Sequence, residues 1–330
     1  MNDRHLLFII GPPRGGTTLL MRMLNAHSQM KGGPEPHLMT PLAHLGFYAR
    51  VDKAPYDPFQ TELGQRAMVD ALPKGEQTYI EAIRAMTDHI YAGLKGESQI
   101  IVDKTPAYSL ILPFLKRVYP NATYVVLTRH PFAVWCSYAK SFFDDDWDVA
   151  LAHNPILSRY IPAISNFLTN EPPEHLIHIR YDQLVMYPEE TLAKVCACAG
   201  VPFEPEMVNY GSETVASGLG DPVNVDQNDR PVATHMQAWT SDVDTSPERR
   251  AFLEGLLDEV SDQDLEAWGF PRASLWEPMA NGPAPAPKRR WTWHRAERKA
   301  IVKLRKNMKN KRVRAALQGV KFRLDALLRE

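Results

Sequence analysis

Two stretches of the chain combine residue types that hold anions. The first is Gly11-Pro12-Pro13-Arg14-Gly15-Gly16-Thr17-Thr18, which follows the apolar run 6–10 and precedes a helical pattern over 17–26. A turn of this kind presents backbone N–H groups and the positive end of a helix dipole, about half an elementary charge, to a bound phosphate. The spacing approaches the nucleoside-triphosphate loop G-x-x-x-x-G-K-[ST], but Thr17 stands where that loop needs lysine and Arg14 supplies the cation instead. The missing lysine argues against a nucleotide kinase. The second stretch is Tyr124-Val125-Val126-Leu127-Thr128-Arg129-His130-Pro131, with Ser137 eight residues after Arg129. An arginine at a strand end and a serine about two turns into the next helix can reach one oxyanion at the carboxyl end of a sheet. The plainer readings stay open: a Gly/Pro turn capping a helix at Thr17, a surface ion pair for Arg129, and an ordinary helix-surface serine at Ser137.

The elements that must position these residues read as an α/β chain. Strands are expected over 6–10, 99–102, 123–128 and 176–180, and helices over 17–26, 77–94, 107–118, 131–142 and 188–199, with Pro131 and Pro188 suited to first turns. Strands alternating with helices imply a parallel sheet covered on both faces, a P-loop-like three-layer sandwich. A further helix is expected over 246–260, after a Gly/Asp/Asn/Pro-rich loop over 211–234.

Composition bounds the rest. With 330 residues, 44 % hydrophobic and 23 % charged, the chain fills a large core without disulfides or a structural metal. Its apolar runs fall short of the roughly 18–20 residues of a bilayer span, and the run 6–10 lacks the length and cleavage pattern of a secretory signal. Cys136, Cys196 and Cys198 cannot all pair, which points to a reducing, cytoplasmic compartment, and no Cys/His/Asp spacing calls for a metal. The net charge of −1 conceals an asymmetry: residues 288–330 carry sixteen Lys or Arg against three acids. The expected organisation is a domain over 1–277, a Pro/Ala linker over 278–287 and a basic amphipathic helical tail over 288–330, with Val313, Leu317, Val320, Leu324 and Leu327 on one face. Three readings stay open for the tail. It docks on the acidic body or on a second copy as a homo-oligomer, it lies on an anionic membrane surface as a peripheral contact, or it binds a polyanion, nucleic acid being disfavoured.

The two anion-binding stretches together resemble the paired signatures of sulfotransferases that use 3′-phosphoadenosine 5′-phosphosulfate (PAPS). The resemblance is strongest to the tyrosylprotein sulfotransferase branch and its bacterial relatives. It is carried by Pro13-Arg14-Gly15-Gly16-Thr17-Thr18-Leu19, Asn25-Ala26-His27, Asp103-Lys104-Thr105-Pro106, Tyr119-Pro120-Asn121 and Ile179-Arg180-Tyr181-Asp182-Gln183-Leu184. It implies that Arg14, Gly15, Gly16, Thr17 and Thr18 hold the 5′-phosphosulfate, that Arg129 and Ser137 hold the 3′-phosphate, and that Tyr181 lies near the adenine. It further implies Arg14 and Lys104 as the cations that stabilise the departing phosphate, and Glu35, twenty-one residues after Arg14, as the base. The plainer alternatives are a solvated lysine before a turn for Lys104, a surface carboxylate for Glu35 and core packing for Tyr181. His37 and His27 are rival bases.

The chain departs from the family pattern at two places. Gly15 replaces a serine, with the backbone donors expected to remain in place, and His37 replaces an arginine of the acidic-peptide site. The implied reaction is in-line transfer of a sulfuryl group from PAPS to a hydroxyl acceptor, leaving 3′,5′-adenosine bisphosphate without a metal. The acceptor would be a glycan, lipid or small metabolite sooner than a peptide tyrosine. A P-loop nucleotide kinase and a non-catalytic scaffold are the competing readings, the loop 218–224 is a candidate lid, and the loops over 32–57 and 144–154 are candidate acceptor walls.

Overall fold

The computed structural model describes residues 3–32, 35, 38–43, 58–170, 172–212, 230–233, 236–243 and 246–279. His37, the candidate lid over 218–224 and the basic tail over 288–330 lie outside the described residues. Along the chain the elements run β1 (Leu6–Ile10), α1 (Thr17–Asn25), β2 (Met30–Gly32), α2 (Met39–Ala43), α3 (Pro58–Asp70), α4 (Glu76–Lys95) and β3 (Ile100–Lys104). They continue with α5 (Leu112–Val118), β4 (Thr123–Thr128), α6 (Pro131–Phe143), α7 (Trp147–His153), α8 (Ile156–Thr169), β5 (Leu176–Arg180), α9 (Tyr181–Met186) and α10 (Pro188–Ala199). The last are α11 (Thr240–Val243), α12 (Pro247–Gly255) and α13 (Asp262–Trp268).

The five described strands form one parallel sheet in the order β2-β3-β1-β4-β5. Because side chains alternate across a strand, β1 feeds two cores. Leu6, Phe8 and Ile10 face the layer of α4, α5, α6 and α8, whereas Leu7 and Ile9 face α1, α9 and α10. Both faces being covered explains why every residue of β1, β3 and β4 is buried, and why β1 is apolar throughout. The chain leaves β1 toward β2 and β3 on one side and then crosses to β4 and β5 on the other. β1 is therefore the switch point, and the crevice outside its carboxyl end is where such sheets bind ligands. The loop after β1, Lys104 at the end of β3 and Arg129 just after β4 all lie along that edge.

Two local expectations are corrected. The stretch 107–118 is not one helix: a 3-10 turn over Pro106–Leu110 is followed by α5. Pro113 lacks an N–H and its ring would strike the carbonyl four residues back, so the helix restarts at Leu112. The helix expected over 246–260 ends at Gly255 and gives way to turns. The edge strand β2, three residues with glycine at its end, was not anticipated, nor was α8, whose pattern is interrupted by Pro162.

Candidate functional site

The loop from Gly11 to Gly16 is bent by its own backbone. The N–H of Gly15 donates to Pro12 O at 3.0 Å, and a Cβ at position 15 would sit 2.9 Å from that oxygen. The loop thus closes more tightly than a serine at position 15 would permit. This corrects one expectation: the Gly15 N–H is already engaged within the turn. Gly16 is the N-cap of α1 with φ 97°, a left-handed conformation, and has no side chain to cap the helix. The first-turn N–H groups of α1 are consequently not satisfied by a capping side chain, which suits them to an external oxyanion. Thr17 is buried and Thr18 is partly exposed.

The two sequence stretches meet at Arg14. Its backbone is left-handed at φ 67°, an unfavourable conformation for a residue with a Cβ. Its side-chain Nε donates to Ser137 Oγ on α6 at 3.0 Å, and its carbonyl accepts from Arg129 Nη1 at 3.1 Å. The Arg129 guanidinium lies over one face of the Tyr181 ring, 4.3 Å from its centroid, while the edge of that ring packs onto Gly16. Arg129 is also anchored from behind, where its carbonyl accepts from Trp268 Nε1 at 2.9 Å. Arg14, Gly16, Arg129, Ser137 and Tyr181, spread over more than 160 positions, are thereby one contiguous cluster.

A second pair lies on the other side of β1. Lys104 ends β3 with its side chain only 4 % exposed, and its ammonium donates to Glu35 Oε1, whose side chain is 15 % exposed. Partners in the sheet set its place: Lys104 is level with Ile9, two residues before the loop begins, and Ser109 Oγ donates to Gly11 O at 3.2 Å. An amine and a carboxylate so nearly dry are held by each other, since either alone would carry a large desolvation penalty.

His27 is not brought to this edge. It follows the carboxyl end of α1, where its Nε2 donates to Pro202 O at 2.7 Å and its Nδ1 accepts the Gln29 N–H at 3.0 Å. Both ring nitrogens are engaged at the far end of the helix, so His27 is no base for this site. Beyond Arg129 and Tyr181 a cleft of about 440 Å³ opens, walled by His130, Arg180, Asp182, Trp239 and Phe270. His130 stacks on Trp239 at 4.7 Å, and burial pushes its imidazole down to about 4, so it is neutral at physiological pH. This wall and Trp268 were missed from sequence: its members come from four separate segments, and although His130, Arg180 and Asp182 belong to the motifs above, nothing local joins them to Trp239 and Phe270. Among the described residues, no three His, Cys, Asp or Glu side chains gather as a metal site, and no helix is long and apolar enough to cross a membrane.

Comparison with known proteins agrees with the fold. The chain is 27 % identical over 225 residues to Nodulation protein NoeE of Sinorhizobium fredii, a match covering 61 % of this chain and 50 % of that protein. The chain therefore spans about half the length of that relative. A putative protein-tyrosine sulfotransferase of Caenorhabditis briggsae is 22 % identical over 216 residues, covering 63 % of this chain and 70 % of that one. Among solved structures, the sulfotransferase domain from the Synechococcus PCC 7002 olefin synthase superposes with a TM-score of 0.53 at 21 % identity, covering 80 % of this chain and 93 % of that domain. The sulfotransferase domain from the curacin biosynthetic pathway gives 0.51 at 21 % identity, covering 77 % and 96 %. With the family model matching residues 7–205, more than half of its length, the chain belongs to the sulfotransferase family.

Proposed function

We propose that this protein transfers a sulfuryl group from PAPS to a hydroxyl acceptor, with 3′,5′-adenosine bisphosphate as the second product. The observation that carries the reading is the cluster in which Arg14 of the first loop contacts both Ser137 of α6 and Arg129 after β4. Two anion-binding elements in contact suit a nucleoside phosphorylated at both ends. A nucleoside triphosphate would need only the first loop.

The donor supplies an activated sulfuryl group, and the chain's own residues do the rest. The first turn of α1, with Thr17 and Thr18, would hold the 5′-phosphosulfate, and Arg129 with Ser137 the 3′-phosphate. Tyr181 carries Arg129 on one face and borders a cleft that would take the nucleoside base. Arg14 and Lys104 neutralise charge that develops on the departing phosphate, and preorganised cations of this kind act without reorganising solvent. Glu35 takes the proton of the acceptor hydroxyl. Its ion pair with Lys104 holds it at the same edge as the donor site. The acceptor class stays as broad as a glycan, lipid or small-metabolite hydroxyl, set by the segments around Glu35.

Isothermal titration without magnesium tests the donor site. Micromolar binding of 3′,5′-adenosine bisphosphate is expected, with 5′-AMP at least tenfold weaker; preference for magnesium ATP would reject the reading. Labelled PAPS screened over hydroxyl compounds then identifies the acceptor, and Glu35→Gln must lower kcat by about 100-fold or more, to a small measurable residue, while leaving bisphosphate binding intact.

A further inference from the structure

Asp103 immediately precedes Lys104 on β3, is 1 % exposed, and has no part in the chemistry described above. Three hydroxyls converge on its carboxylate. Tyr91 of α4 donates to Oδ2 at 2.6 Å, Tyr108 of the 3-10 turn donates to the same oxygen at 3.2 Å, and Thr105 donates to Oδ1 at 3.2 Å. The Tyr108 oxygen in turn accepts the backbone N–H of Met39 at 2.9 Å. Met39 opens α2 and lies four residues after Glu35. One buried carboxylate is thus joined covalently to Lys104 and, through a single phenol, to the segment that carries Glu35.

This arrangement is more than polar groups satisfying one another. Phenylalanines at 91 and 108 with an apolar residue at 103 would fill the same space without the cost of burying a charge. Burial raises the Asp103 carboxyl to about 6, its three donors oppose that rise, and it is an anion at neutral pH. Burial and the neighbouring Asp103 push the Tyr91 and Tyr108 phenols up, so both remain donors. The Met39 N–H belongs to the first turn of a helix, has no partner within that helix, and is satisfied by the Tyr108 oxygen.

We infer that Asp103 and Tyr108 are positioning residues of the transfer site: the chain Asp103–Tyr108–Met39 fixes the segment of Glu35 against the strand end of Lys104, so that base and cation meet the acceptor preassembled. The inference rests on the roles proposed for Glu35 and Lys104, and its test separates the two. Tyr108→Phe keeps the ring and removes both bonds. The expected result is a kcat about tenfold lower, with the KM for PAPS and the affinity for 3′,5′-adenosine bisphosphate within twofold of the parent. Hydrogen exchange at the Met39 amide should accelerate at least tenfold. In a Glu35→Gln background, Tyr108→Phe should have no further effect on residual kcat, because it acts through Glu35. Tyr91→Phe, which removes a bond to the same carboxylate without touching Met39, should lower stability yet hold kcat within twofold.

Equal losses of kcat in both backgrounds, or equal losses for Tyr91→Phe and Tyr108→Phe, overturn the positioning role in favour of simple core stability. Unchanged Met39 exchange in an enzyme that turns over overturns the tether. A parent chain that neither binds the bisphosphate nor turns over PAPS overturns the functional reading and this role with it, a failure seen before any variant is made. Asp103→Asn, which keeps the side-chain volume, passes through the same cycle if Tyr108→Phe does not fold.

Discussion

Replacing Gly16 by alanine tests the physical basis of the anion site most directly, because two independent costs fall on one methyl group. The backbone there has φ 97°, and holding a residue with a Cβ in the left-handed region costs about 1–2 kcal/mol. The same Cβ would lie 2.8 Å from Tyr181 Cε2 and closer still to Cδ2, so the ring must move. Overpacking of this kind costs about 1–3 kcal/mol. The sum, about 2–5 kcal/mol, corresponds to a melting temperature lower by roughly 10 °C for a domain of this size. Function should suffer further, since Tyr181 carries the Arg129 guanidinium on its face. If Arg129 leaves the 3′-phosphate, a hydrogen bond to a charged group worth about 1.5–3 kcal/mol is lost, and titration should show bisphosphate affinity down about 10- to 100-fold. Tyr181→Leu in the Gly16→Ala background removes the clash but not the backbone cost, so the double variant should be about 1–3 kcal/mol more stable than the sum of the singles predicts. A Gly16→Ala protein that melts within 2 °C of the parent and binds 3′,5′-adenosine bisphosphate within twofold would refute the reasoning.

Other perturbations probe separate parts of the site. Ser137→Ala should weaken 3′,5′-adenosine bisphosphate about tenfold while leaving ADP, which has no 3′-phosphate, within twofold; equal losses for both in titration would remove Ser137 from the 3′-phosphate site. Lys104→Met removes the cation paired with a mostly buried carboxylate and should cost about 3 kcal/mol in urea denaturation, most of it recovered in Lys104→Met/Glu35→Gln. Between about pH 4 and 6 the folded chain keeps a proton on Asp103 that the unfolded chain releases, so this group's contribution to stability falls with rising pH by about 3 kcal/mol. His130, held down to about 4, acts oppositely, because the unfolded chain takes up a proton below about pH 6.5 that the folded chain refuses. Asp103→Asn should therefore make stability climb more steeply from pH 4.5 to 7 than in the parent, by about 2–3 kcal/mol over the interval, and parallel urea curves would contradict this. Arg14→Gly relieves the left-handed strain as it deletes a cation, so stability should stay within about 1 kcal/mol while bisphosphate binding drops below detection.

What could be read from the sequence follows burial geometry. β1 and β4 match their expected bounds residue for residue, because central parallel strands are apolar runs with sharp polar ends, and the edge strand β5 matches as well, its Leu176, Ile177 and Ile179 marking it. α10 is equally plain, opened by Pro188 and closed by the left-handed Gly200. α8 was hidden by Pro162, and β2 by a length of three residues at the sheet edge, where pairing more than composition makes a strand. In the candidate site, both stretches around Arg14 and Arg129 stood out by residue type, while their contact did not, because the side chains meet only after β4 is laid beside β1. Asp103 was legible only as part of a motif. A carboxylate in a sequence reads as surface charge, and only coordinates reveal three hydroxyls closing over it.

The strain at Arg14 shows how these pieces depend on one another. A glycine would turn the loop there at no steric cost, as Gly16 does two residues later, yet the chain places an arginine in a left-handed conformation. Unfavourable backbone persists only where the surroundings over-determine it. Here they do so from both directions, for the Arg14 side chain is fixed by Ser137 and its carbonyl by Arg129. On the opposite flank of β1, one strand spacing away, Lys104 is fixed by Glu35. The strand that ends at Lys104 and the strand that leads into Arg129 therefore flank β1, about 10 Å apart by strand spacing, with the strained loop between them. The sheet order sets that separation before any side chain is chosen. An insertion that moved β4 from the side of β1 would separate the two cations without altering either motif, and the same two motifs would then no longer make one site.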